Sequence, residues 1–206
     1  WTLSGSNGIL ARRNFSASDS DSIGSTNPFM LLRAGDYTLT VDGSGVATGA
    51  YAFRLLSAAS ATALTRDVEQ TGQTTEPLGT RFYTFDAAAG DQVVLDFLER
   101  SNNIYPTWRL FDRNGAQLHY GYFANDSATL TLGLSGSYLL AIESRMSDST
   151  AGTLRFQVRS AGHVDLPAPP AGDPISLGTT VSGTLTSGTD TKQYGFDLAS
   201  ASRLVF

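Results

Sequence analysis

The chain contains no cysteine, so it has no disulfide, no zinc–thiolate site and no thiol nucleophile. Charge is scarce: Asp, Glu, Lys and Arg make up 16% of the residues, against ~25% in ordinary soluble domains. The basic side chains are thirteen arginines and one lysine, Lys192, spread along the chain rather than clustered. With a net charge of −5 and a pI near 4.9, no nucleic-acid partner is expected. No apolar run approaches the ~18 residues of a membrane helix, so no membrane insertion is expected. Helix signals are missing too. The only Ala-rich stretch, Ala58–Ala63, is short and broken by Ser60 and Thr62, and reads as a linker. The chain opens on Trp1 with neither an initiator methionine nor a signal-like segment, which reads as a processed product or a fragment.

What the 206 residues do contain is alternation. Tyr37, Leu39 and Val41 fall on one face of an extended segment, and so do Tyr51, Phe53 and Leu55. The same period of two runs through Tyr83 and Phe85, Val93 and Leu95, Leu130 to Leu134, Tyr138 to Ile142, and Leu154 to Val158. Period two over about five residues predicts strands with one buried face. Turn residues separate these runs at short intervals, so an all-β protein of sandwich or jelly-roll type is expected. Asn7-Gly8 and Asn114-Gly115 predict tight type I′ hairpins. Gly43-Ser44-Gly45 reads as a hairpin loop between two strands. A strand-to-helix phosphate loop is not expected there.

Four landmarks recur in the same order. Trp1-Thr2-Leu3 with Asn7-Gly8 returns as Trp108-Arg109-Leu110 with Asn114-Gly115, and Gly35-Asp36-Tyr37 returns as Gly136-Ser137-Tyr138. Gly49-Ala50-Tyr51-Ala52-Phe53 returns as Gly152-Thr153-Leu154-Arg155-Phe156, and Tyr83-Thr84-Phe85-Asp86 as Tyr194-Gly195-Phe196-Asp197. The expected organisation is therefore a tandem repeat. Residues 1–57 carry the second half of one copy and 58–163 a complete copy. Residues 164–206 carry a Pro-rich linker and the first half of a further copy. Half a sandwich leaves a core face and strand edges open to water. Self-association is expected, with strands of about Leu177 to Phe206 completing those of Trp1 to Leu55 head to tail, and the same contact arises if the chain is one window of a continuous polypeptide.

The motifs Tyr83-Thr84-Phe85-Asp86-Ala87-Ala88-Ala89-Gly90-Asp91, Trp108-Arg109-Leu110-Phe111-Asp112-Arg113-Asn114-Gly115 and Gly136-Ser137-Tyr138-Leu139-Leu140-Ala141-Ile142 resemble the bacterial pre-peptidase C-terminal domain family. The resemblance implies jelly-roll β-sandwiches of ~100 residues, appended to secreted peptidases or arrayed in large surface and adhesin proteins. In the residues themselves, Gly90-Asp91 and Gly136 read as hairpin turns, and Tyr83, Phe85, Trp108 and Tyr138 as core bulk.

Catalytic chemistry has little to work with. His119 and His163 have no counterparts in the other copies and read as surface side chains. Neither G-x-S-x-G nor H-E-x-x-H occurs, so no enzyme and no catalytic residue is expected. No cofactor is expected either, with one alternative: Asp19 and Asp21, alternate carboxylates in a long loop, form a calcium candidate. Tyr105, Tyr120 and Tyr122 read as partly buried sandwich aromatics or as a platform for sugar rings. The function expected is a structural extracellular module of a bacterial surface stalk or fibre. A carbohydrate- or ligand-binding adhesin module and the accessory region of a secreted peptidase are the alternatives.

Overall fold

The computed structural model describes residues 1–15, 32–74, 79–101, 103–145, 148, 150–168, 171–198 and 204–205. The calcium candidates Asp19 and Asp21 lie outside these residues. The chain packs as two units, Trp1–Val164 and Asp165–Phe206. Among the described residues the architecture is all-β, and no helix is long and apolar enough to cross a membrane.

The first unit begins with β1 (Thr2–Gly5), β2 (Gly8–Arg12) and β3 (Tyr37–Thr40), a small sheet in the order β2-β1-β3. A single 3₁₀ turn at Ala58–Ser60, capped by the Ser57 hydroxyl accepting from the Ala59 N–H, leads into the sandwich. Nine strands follow among the described residues: β4 (Thr62–Ala63), β5 (Gln70–Thr74), β6 (Thr80–Ala87), β7 (Asp91–Arg100), β8 (Thr107–Phe111), β9 (Gln117–Tyr122), β10 (Leu130–Thr131), β11 (Gly136–Glu143) and β12 (Gly152–His163). One sheet runs β4-β6-β11-β8-β9 and the other β10-β7-β12-β5. Between them lies a core of alternate residues, including Tyr83 and Phe85 from β6, Val93 and Leu95 from β7, Trp108 and Leu110 from β8. Tyr138, Leu140 and Ile142 of β11 and Leu154, Phe156 and Val158 of β12 complete it. Phe123 sits at its centre, edge-on to Trp108, Phe97 and Phe156 with ring centroids 4.9, 5.5 and 5.8 Å apart. Such edge contacts add to the burial of the rings themselves.

The edge of β7 is finished by side chains. Beyond the short β10, the Leu95 N–H donates to the Ser127 hydroxyl and the Phe97 N–H to the Asp126 carboxylate, each at 2.9 Å. The Leu95 carbonyl accepts from the Ser127 N–H.

The second unit holds β13 (Asp173–Pro174) and β14 (Tyr194–Gly195), a parallel pair.

Several expectations require correction. Gly90-Asp91 and Gly136 do not form hairpins, because β6 and β7, and likewise β10 and β11, belong to opposite sheets. These turns are arches across the core. Gly90 (φ 91°) passes so close to the Val164 carbonyl that a Cβ would lie 2.2 Å from it. The Asn-Gly turns are hairpins, but only Gly8 and Gly115 take positive φ. Asn114 is held instead by Asp112, whose Oδ1 accepts the Asn114 and Ala116 N–H groups. A turn of type I followed by a left-handed glycine does the work assigned to type I′. Finally, Tyr51–Leu55 forms no strand, so Gly43-Ser44-Gly45 is a turn after β3 and joins no second strand. The 51–55 pattern resembles that of β12, which lies between β7 and β5, and no strand pairs with 51–55 among the described residues. Without such neighbours, alternation has nothing to pair with.

Candidate functional site

Among the described residues two features stand out: the exposed aromatics of β3 and β14, and a tyrosine–arginine patch at one end of the sandwich.

The pairings among β1, β2 and β3 follow those among β8, β9 and β11. Leu3 pairs with Leu39 as Leu110 pairs with Leu140. Leu3 pairs with Ala11 as Leu110 pairs with His119, and the register shifts at Leu3/Ser4 as it does at Leu110/Phe111. The Tyr37 hydroxyl donates to the Arg33 carbonyl, four residues back, as that of Tyr138 does to Leu134. In the second unit, β13 and β14 pair as β4 and β6 do. Asp173 pairs in parallel with Tyr194 as Thr62 pairs with Tyr83. The Ile175 N–H reaches the Gly195 carbonyl at 2.9 Å as Leu64 reaches Thr84 at 2.8 Å. Gly178 and Asp67 both hold left-handed φ, 81° and 63°.

Burial separates them. Tyr83, Phe85, Tyr138 and Phe156 are at most 7% exposed, whereas Tyr194, Phe196, Tyr37 and Phe53 are 37–49% exposed. These aromatic side chains of β3, β14 and the 51–55 segment are partly exposed, with Tyr51 stacked between Phe15 and Phe53.

In the patch, the loop after β7 and the loop after β11 are tied by Asp148. Its buried carboxylate accepts the Tyr105 N–H at 3.2 Å and the Arg145 N–H at 3.0 Å. The Arg145 guanidinium carbon lies 4.9 Å from the Tyr122 ring centre and 5.8 Å from that of Tyr105. The Arg100 guanidinium covers Tyr105 at 4.5 Å and is held by the Ile104 carbonyl at 2.6 Å. The buried Nε of Arg145 makes no hydrogen bond to a described residue. Tyr105 and Tyr122 are half exposed, while Tyr120 packs under Arg109 at 4.1 Å. The structure thus brings Tyr105 and Tyr122 together and leaves Tyr120 to the sheet. Sequence reading missed Arg100 and Arg145. Each follows the last apolar position of a strand, and only the fold reveals their convergence.

His163 is a surface side chain as expected, and His119 is not. His119 lies on the core side of edge strand β9, and burial pushes its pKa below the ordinary 6.5. A Cβ on Gly121 would stand 3.0 Å from its Nε2 and 3.6 Å from the Trp108 Nε1. His163 is half exposed and binds Asp91 at 2.9 Å, with Arg66 on the other oxygen at 2.9 Å. The hydrogen bond from His163, the Ala88 N–H and Arg66 together hold the Asp91 carboxyl below the usual range. This group pins the arch between β6 and β7. No metal-binding cluster of His, Asp and Glu occurs among the described residues.

No family model and no curated protein matches the chain. Among solved structures it is similar to the Aeromonas hydrophila PliG, a periplasmic inhibitor of g-type lysozyme, at 15% identity over 48% of this chain and 95% of that one, with a TM-score of 0.39. It is similar to the pre-peptidase C-terminal domain of the collagenase from Bacillus anthracis at 23% identity, 48% and 93% coverage, and a TM-score of 0.35. The Salmonella Typhimurium PliG follows at 19% identity, 47% and 96% coverage, and a TM-score of 0.34. One of these three is a domain of the family that the motifs of residues 83–142 resemble.

Proposed function

We propose that this chain is a non-enzymatic structural module of an extracellular stalk or fibre at a bacterial surface, built of tandem β-sandwich repeats that associate head to tail. The observation that carries the reading is the shared register. Two separate segments reproduce the strand pairings, the bulge and the left-handed positions of the complete copy, yet leave matching core side chains exposed. Repeats of one supersecondary unit bury their faces against neighbours. A stalk needs rigid, chemically inert modules, and a chain without cysteine and with few lysines suits that role. Immunogold labelling of intact source cells with antibodies raised against residues 58–163 tests it. Regular axial spacing of gold along surface projections is expected, whereas label confined to the cell interior overturns the reading.

The patch favours a second reading, a glycan-binding adhesin module. Tyr105 and Tyr122 offer ring faces, and Arg145 between them suits a carboxylate-bearing saccharide. On this reading, a glycan array probed with the 206-residue chain retains acidic saccharides. Tyr122→Ala and Tyr105→Ala abolish retention by at least tenfold without moving the melting temperature. An array with no retained saccharide removes it.

A further inference from the structure

We propose that His119 is a proton-sensitive latch on edge strand β9: neutral, its ring closes the strand over Trp108, and protonated, it lets β9 leave the sheet. The inference concerns the stretch from Thr107 to Phe123 within the sandwich and does not depend on the repeat reading.

β9 has a slight hold on the core. It ends its sheet and, among the described residues, pairs with β8 alone. Opposite the core residues Leu110 and Trp108 it places His119 and Gly121. Cross-strand packing of apolar side chains normally fastens a strand at these positions. Here a part-buried imidazole takes that role, and the glycine has no side chain to offer. Phe123, just beyond the strand, is fully buried, so the strand can lift without pulling its anchor from the core. Lifting β9 leaves β8 as the sheet edge, with main-chain groups that another strand can take.

The chemistry above Gly121 selects the neutral ring. The His119 Nε2 and the Trp108 Nε1 are both buried, and neither has a hydrogen-bond partner among the described residues. They converge on one spot, 3.0 Å and 3.6 Å from where a Cβ on Gly121 would stand. An indole nitrogen only donates, so the Nε2 beside it is favoured as a bare acceptor with the proton on Nδ1. A second proton turns two N–H groups toward the same spot and buries a charge. Among the described residues no charged group offsets it. Leu110 and Trp108 face the ring from β8, whose Arg109 points the other way into Glu143, followed by Gln117 of β9. Asp126, in the loop after β9, accepts the Phe97 N–H, and Asp96 of β7 accepts from Gln157. Burial is the one cause that lowers the His119 pKa. The latch therefore contributes fully above the unfolded value of about 6.5, and its contribution is lost as pH falls from there through the lower folded value.

Trp108 reports on the latch once Trp1→Phe leaves it the single tryptophan. An imidazolium quenches a neighbouring indole, so its emission is expected to fall roughly twofold between about pH 7.5 and 5, reversibly. Over the same range, hydrogen exchange in Gln117–Tyr122, corrected for its intrinsic pH dependence, should accelerate roughly tenfold relative to Thr80–Ala87 of β6. His119→Gln keeps an acceptor and takes no proton, so both changes should vanish. His163→Gln should leave both in place. Proton NMR of the unsubstituted chain gives a second measurement, with the His119 ring titrating below about 6.5 in step with the β9 amides. Emission that stays flat, changes that survive His119→Gln, exchange that rises equally in β6, or a ring that titrates at the ordinary value would each overturn the proposal.

Discussion

Trp108→Ala is expected to cost the sandwich about 3–5 kcal/mol, the usual range for truncating a large core aromatic. Trp108 is fully buried, meets Phe123 edge-on at 4.9 Å, and lies opposite Ile142 on β11 and Gly121 on β9. Gly121 has no side chain and Phe123 is already packed on three rings, so little can move into the void. Against a domain stability of roughly 5–15 kcal/mol, the loss brings the fold near its threshold. Trp108→Phe is expected to cost far less, because the buried indole Nε1 has no hydrogen-bond partner among the described residues to lose. Urea denaturation followed by tyrosine fluorescence measures both. Equal midpoints for the alanine variant and the parent would show that Trp108 lies outside the cooperative core.

Removing one half of the buried ion pair on the outer face of the same sheet has a comparable expected effect. Arg109 and Glu143 are 3% and 4% exposed and meet at 2.8 Å, with Gln117 on a second guanidinium nitrogen at 2.9 Å. Glu143→Leu strands a guanidinium that cannot lose its proton in a site without solvent. A loss of about 3–5 kcal/mol is expected, because breaking a buried pair leaves an uncompensated charge. Restoring neutrality with Arg109→Met in the same chain should recover most of it, since the intact pair itself carries a large desolvation cost. Calorimetry of the parent, the single and the double variant decides. A single variant that melts with the parent would mean that water reaches the site.

Alternation in the sequence identified which face of the sandwich strands is apolar, and Leu3 and Leu110, which the landmarks align, both pair with a leucine on the neighbouring strand. What alternation leaves out is company. Tyr51–Leu55 has the pattern of β12 but not its neighbours, so the pattern yields exposed rings instead of a strand. Gly90-Asp91 looks like a hairpin because a turn between two strands reads the same whether the strands join one sheet or two. The Arg109–Glu143 pair was hidden for a related reason. A charge flanked by apolar residues on a strand normally faces solvent, and here that face is covered. The patch around Arg145 depends on two loops that only Asp148 ties together, a link made across more than forty residues of chain.

The side-chain finish on β7 bears on the dimensionality of growth. A bare strand edge recruits strands from any passing chain, and sideways recruitment turns fibres into sheets and precipitates. With the Leu95 and Phe97 amides already bonded to Ser127 and Asp126, this stretch of the β7 edge offers no template. At this edge the sandwich is therefore closed to strand addition by side chains of its own loop, so mixing with other chains here would first have to break those two bonds.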